Sequence, residues 1–216
     1  MKHLRLNDGS ANAPDLCSLF PIPYFLFPIP YSLLPIPFTG HGSVKSRKHQ
    51  YAPDVWACVL GLKMKIIVAA DHVGFGLKEK ALEYLKSRGV EVEDCGPSNA
   101  EPVDYPDFAE KVAARVAAKQ ADYGVLVCGT GIGMMLAANK VGGVRAVAAN
   151  DTISARLARE HNDANVLTLG ARMIDAATMR QIVDTWLSTP FAGGRHERRL
   201  RKIETLEQRY HAEKKP

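Results

Sequence analysis

The four cysteines of this 216-residue chain, Cys17, Cys58, Cys95 and Cys128, show neither metal-ligand spacing nor a paired framework. A structural zinc site and a disulfide scaffold are therefore not expected, and reduced thiols in the cytoplasm fit best. The chain also lacks a basic stripe interleaved with aromatic residues, which argues against nucleic acid as a partner. Its formal charge of +5, from 28 Lys+Arg and 23 Asp+Glu, is a local excess. Residues 195–216 hold eight basic and four acidic residues, so this tail carries +4 of the total. No apolar run reads as a membrane span, because residues 21–38 carry six prolines in 18 positions, which forbids a helix. No small-residue cleavage motif follows them, as a secretory signal would require. Two nucleotide fingerprints are missing as well. The G-x-G-x-x-G pattern needs glycine where Met134 stands, and no Gly-Lys-Ser/Thr completes a P-loop.

What is present falls into two parts. Residues 1–63 form a leader unlike the rest. Its repeat, Pro-Ile-Pro every seven residues from Pro21, Pro28 and Pro35, could form a polyproline-like arm. A heptapeptide repeat is also what a seven-nucleotide DNA repeat yields when read through all three frames. We read the leader as upstream sequence translated from a misplaced start, with Met64 as the first residue. N-terminal analysis of the native protein tests this. Residues 1–62 are expected to be largely disordered and to take no part in catalysis.

From Met64 onward strands and helices alternate. Strands are expected over 65–70, 90–94, 123–128, 144–149 and 166–169. Helices are expected over 76–87, 106–120, 134–140, 152–160 and 175–187, with a charged helix over 197–210. The first helix shows Leu77, Ala81, Leu82 and Leu85 on one face, and Gly89 closes it. Val90–Asp94 alternates like an edge strand. Alternation of this kind predicts a Rossmann-like, three-layer α/β/α sandwich on a five-stranded parallel sheet. Parallel strands place all their carboxyl ends on one edge, where ligands bind in open α/β sheets. That edge gathers Asp71-His72, Cys95-Gly96, Cys128 to Gly133, Asn150-Asp151 and Gly170-Ala171-Arg172.

The chain is organised around Val125-Leu-Val-Cys128-Gly129-Thr130-Gly131-Ile132-Gly133. An apolar strand runs into a cysteine, a glycine-rich turn and a helix. Such a turn lets backbone N–H groups approach an anion, and the helix dipole adds to the attraction. A thiol at its mouth is placed for proton transfer. The plainer reading is a buried structural cysteine before a tight turn. Asp71-His72 reads as a functional pair or as a cap for the next helix. His161-Asn162-Asp163 reads, on spacing alone, as a helix C-terminus and turn. Arg195 and Arg199 share a helical face and could fork around one phosphate, or they are solvated charges.

Taken together, Asp71-His72-x-Gly74, Asp104-Tyr105-Pro106, Cys128-Gly129-Thr130-Gly131-x-Gly133, Ala138-Asn139-Lys140, His161-Asn162-Asp163-x-Asn165-Val166-Leu167 and Gly193-Gly194-Arg195-His196-x-x-Arg199 resemble ribose-5-phosphate isomerase type B. That family includes the galactose-6-phosphate and allose-6-phosphate isomerases. The resemblance covers residues 65–207, in order. It implies metal-free and cofactor-free aldose–ketose isomerisation through a cis-enediolate. It implies Cys128 as the base between C2 and C1, and His161, aided by Asp71, in opening the furanose ring. It implies Gly129, Thr130, Gly131 and Gly133 as the anion hole. His72, Arg195 and Arg199 would clamp the phosphate with help from Arg172, and Asn162 would contact a hydroxyl. The site would form between subunits of a homodimer or homotetramer, with His161, Asn162 and Arg172 serving the partner's Cys128 pocket. The alternative within the class is an isomerase of a six-carbon sugar phosphate. A non-catalytic phosphate-binding module would not require Cys128 and His161 beside the arginines.

Overall fold

The β-branched run Lys65–Ala70 forms β1, and its Ile66 to Ala70 are fully buried. In the computed structural model, which describes residues 64–212, four further strands follow: β2 (Glu91–Asp94), β3 (Tyr123–Cys128), β4 (Ala146–Ala148) and β5 (Val166–Gly170). The expected disorder of residues 1–62 concerns positions outside the described residues. The helices are α1 (Phe75–Ser87), α2 (Tyr105–Ala117), α3 (Ile132–Ala138), α4 (Thr152–Asn162), α5 (Ala176–Ser188) and α6 (Arg195–Ala212). All strand pairs are parallel, in the order β2-β1-β3-β5-β4. The expected α/β/α sandwich is therefore observed, with β2 at an edge as its half-exposed pattern required.

Period-two alternation sends each strand's side chains to two cores. Ile66, Val68, Val125, Val127, Leu167 and Leu169 face Leu77, Leu85, Met179, Ile182 and Trp186, from α1 and α5. Ile67, Ala69, Leu126 and Cys128 face Val112, Val116, Met134 and Ala138, from α2 and α3. The chain leaves β1 toward one face and β3 toward the other. A crevice is thus left between the carboxyl ends of β1 and β3, the switch point where α/β sheets bind ligands.

Some boundaries differ from expectation, each for a local reason. Helix α3 starts at Ile132, two residues early, because Gly131 takes the left-handed conformation (φ +80°) and serves as its N-cap. It ends at Ala138 because the Asn139 side chain pairs with both backbone groups of Ala146, at 2.8 Å each. Helix α4 runs two residues past the expected Glu160 and closes at Asp163, whose φ is +42°. Helix α2 stops three residues short of Gln120, where Lys119 turns to φ +57°. Helix α6 begins at Arg195, directly after the left-handed pair Gly193 and Gly194.

Candidate active site

The carboxyl edge holds one group of the candidate residues. Asp71 follows β1 directly and is 6% exposed. Its Oδ1 accepts the Gly74 N–H at 2.7 Å, and its own N–H donates to the Val127 carbonyl at 3.0 Å. The two strand ends are thereby stitched together. Gly74 is held so close to β3 that a Cβ would fall 2.2 Å from the Val127 oxygen, so no larger residue fits. His72 is exposed beside this point, its Nδ1 3.3 Å from both the N and the O of Val103.

Cys128 ends β3 and is 4% exposed. The Gly131 N–H donates to its sulfur at 3.2 Å. The turn that follows is pinned to β5 at three points. Ala171 and Arg172 donate their N–H groups to the carbonyls of Cys128 and Gly129, at 2.8 and 3.0 Å. The buried Thr168 hydroxyl donates to the Gly131 carbonyl at 2.8 Å. Thr130 is exposed, and its Oγ1 accepts the Ile132 N–H at 3.3 Å. Gly133 stands in the first turn of α3 against the Tyr105 ring, and Gly129 lies beside the Arg172 side chain. A rigid turn with a thiol at its base and an exposed hydroxyl at its tip is the outcome.

The second group lies at the other end of the sheet. Helix α4 leaves the carboxyl end of β4 and descends to the amino end of β5, so its last turn carries His161 and Asn162 away from Cys128. One strand length, about 13 Å at 3.3 Å per residue, separates the two levels. Arg145 fixes this lower turn, donating to the carbonyls of Asn162 and Asp163 at 3.1 and 2.9 Å and to the Asp163 carboxylate at 2.8 Å. The segment after α5 returns to the same place, where the Ala192 N–H donates to the Glu160 carbonyl at 2.9 Å. That contact starts α6 beside α4. Arg195 and Arg199 therefore accompany His161 and Asn162, one helical turn apart on an exposed face.

The His161 ring stacks on His196, with centroids 4.2 Å and planes 6° apart. His161 Nε2 stands 3.8 Å from Glu160 Oε1. Burial first, then the neighbouring His161, Arg195 and Arg199, push the His196 pKa below the ordinary imidazole value, with Glu160 opposing. Within one chain the structure thus brings together Asp71, His72, Cys128, Gly129, Thr130, Gly131, Gly133 and Arg172. It brings His161, Asn162, Arg195 and Arg199 together elsewhere. The expected phosphate clamp is divided accordingly: His72 and Arg172 lie at the carboxyl end, the other two arginines at the amino end. Among the described residues, no group of three His, Cys, Asp or Glu side chains is arranged to hold a metal ion.

Two contributors carry no role in the sequence reading. Thr168 holds the cysteine turn, and its signal is a hydroxyl in the otherwise apolar Val166–Gly170. His196 appears within the Gly-Gly-Arg-His run, but its stacking partner is 35 positions away and invisible in sequence.

This geometry has relatives. A sequence model of the Ribose/Galactose Isomerase family matches residues 66–203. Ribose-5-phosphate isomerase B of Escherichia coli (strain K12) is 47% identical over 145 residues, covering 67% of this chain and 97% of that protein. The solved structure of a ribose 5-phosphate isomerase from Thermotoga maritima is 54% identical, with a TM-score of 0.65, covering 66% of this chain and 98% of that one. Ribose-5-phosphate isomerase B from Mycoplasma genitalium, solved with bound ribulose-5-phosphate, is 43% identical with a TM-score of 0.66 and covers 68% and 98%. The family's sequence pattern and its fold thus coincide over the same stretch that holds the cysteine turn and both arginines, and the chain belongs to the ribose/galactose isomerase family.

Proposed function

We propose that this chain interconverts ribose 5-phosphate and ribulose 5-phosphate, and that residues 64–216 form the domain that does so. The observation that carries the mechanism is the Cys128 sulfur at the base of the pinned turn, with the Gly131 N–H aimed at it. A thiolate there takes the proton from C2 of the open-chain aldose. The electron pair left behind forms the enediolate, and the same proton is returned to C1 while the hydroxyl proton passes from O2 to O1. The turn from Gly129 to Gly133, with the exposed Thr130 hydroxyl, receives the developing negative charge. Donors of this kind contribute on the order of 10²–10³-fold each.

His161, aided by Asp71, acts as the acid and base that opens the furanose ring, and Asn162 contacts a sugar hydroxyl. His72, Arg195, Arg199 and Arg172 hold the phosphate, and that remote binding energy fixes the reacting carbons. The separation of the two residue groups supports a site made by two chains, the carboxyl end of one facing the amino end of another. That separation supports a homodimer or homotetramer. In the family's arrangement Arg172 serves the partner's pocket; in the chain it lies beside its own Gly129. No described helix is long and apolar enough to cross a membrane. Reduced Cys95 and Cys128 fit a cytoplasmic enzyme of carbohydrate metabolism.

The deciding experiment is turnover of ribose 5-phosphate by the full chain and by the chain from Met64, each with EDTA present. Rapid turnover by both supports the pentose substrate, metal independence and the dispensability of the leader. Turnover on allose 6-phosphate or galactose 6-phosphate in preference to ribose 5-phosphate would move the substrate to six carbons.

A further inference from the structure

His196 has no role in the mechanism above, yet it is the most enclosed side chain at the amino-end group. It is 8% exposed and sits in the first turn of α6. Its own N–H donates to the Gly193 carbonyl at 3.0 Å, which fixes its backbone to the glycine turn. Its ring is parallel to His161 at 4.2 Å. Its Nε2 accepts the Nε–H of Arg195 at 3.2 Å. We propose that His196 is a positioning residue, a single buried imidazole that sets the ring plane of His161 and the heading of the Arg195 guanidinium. The proposal rests on the roles given above to His161 and Arg195.

The chemistry suits the task. A guanidinium held through Nε–H keeps both terminal nitrogens free, which is the fork a phosphate needs. Stacking leaves the edge nitrogens of His161 unobstructed while removing the freedom of its ring to rotate. The acceptor contact requires an unprotonated Nε2. Burial first, and then the neighbouring His161, Arg195 and Arg199, favour that form, while the Glu160 carboxylate opposes it. One neutral ring can therefore serve two charged or proton-carrying neighbours on two helices.

Two substitutions separate the two contacts. H196F keeps a flat ring for His161 and removes the acceptor for Arg195. H196Q places an acceptor near the Nε2 position and removes the ring. Steady-state kinetics of the full-length enzyme with ribose 5-phosphate are the readout. H196F is expected to raise KM about 10-fold with kcat within about threefold, the loss of one hydrogen bond to a charged group. H196Q is expected to lower kcat about 5- to 10-fold with KM within about threefold, the loss of one aromatic stack. A merely structural histidine would not split the two constants in opposite ways. Wild-type constants in both variants, or the same change in both, overturn the proposal. Melting curves show that each variant is folded, and if one is not, the other still decides. H161A and R195A run alongside. Wild-type kinetics in either remove the underlying roles and the proposal with them. Loss in both, with neither H196F nor H196Q altered, removes His196 alone.

Discussion

Cys128 sits almost out of solvent with one backbone donor on its sulfur, so its replacement tests the base role with little cost to packing. Cys128→Ala is expected to lower kcat by at least 10²–10⁴-fold, the usual worth of a positioned base, about what leaves turnover undetectable here. Binding of the phosphorylated sugar, followed by calorimetry, should persist, and so should the melting temperature within a few degrees. A variant that keeps most of its turnover removes Cys128 from the mechanism. Gly131 is the second telling position. Its φ of +80° is one that side chains rarely adopt, and a Cβ would stand 3.1 Å from the Leu169 carbonyl carbon. Gly131→Ala should cost about 1–3 kcal/mol of stability in denaturant titration. It should also lower kcat more than KM, because the donor to the sulfur shifts with the backbone. The cysteine and the glycines were legible in sequence as a motif. Thr168, which holds the turn from β5, was not, since a single hydroxyl in a strand says nothing of what it meets.

At the scale of elements, the sandwich is tied across its helices as well as through its core. Tyr84 of α1 donates its hydroxyl to Asp184 of α5 at 2.6 Å, and the tyrosine pKa is pushed up to about 12, by burial first and then by that carboxylate. A raised folded-state pKa means that the contribution is complete below the unfolded value near 10. It is lost as pH climbs through about 12. Tyr84→Phe should therefore lower stability by about 1–2 kcal/mol at pH 7. The difference between the two proteins should shrink between pH 10 and 12; a constant difference across that range would show that the pair is not coupled. At the far edge of the sheet, Arg115 of α2 holds Glu93 of β2 through both terminal nitrogens, and Lys65 adds a contact at 3.1 Å. Those partners, Arg115 first, lower the Glu93 pKa to about 2. The pair is half exposed, so solvent screening leaves it little weight in overall stability.

At the scale of the molecule, the two residue groups sit at opposite ends of one sheet, and a shared site makes a quantitative demand. Cys128→Ala and His161→Ala should each be inactive alone. Mixed and allowed to exchange subunits, they should recover roughly a quarter of wild-type activity, because half the dimers are then mixed and each mixed dimer has one intact site. No recovery after demonstrated exchange would place both residues in one chain's pocket. The open edge of β4 and the side of α6 flank a groove of about 580 Å³ that includes Val144, Val147, Ile203 and Leu206. Leu136 of α3 is 56% exposed, and Ile203 and Leu206 of α6 are 50% and 49% exposed.

The sequence alone determined the layer order, the parallel sheet and the cysteine turn, because these rest on local periodicity, turn chemistry and the rule that parallel strands share one carboxyl edge. It also placed Arg195 and Arg199 on one helical face, which spacing of four residues dictates. Only the tertiary structure decided where α4 and α6 end up relative to that edge. In sequence His161 stands only a few residues before β5, yet the helix that carries it runs back down the sheet before β5 begins. The same descent brings it onto His196, through a backbone contact between Ala192 and Glu160 that no local pattern announces. Contacts made across a whole crossover depend on the lengths of strand and helix together, and these emerge only when the chain is packed.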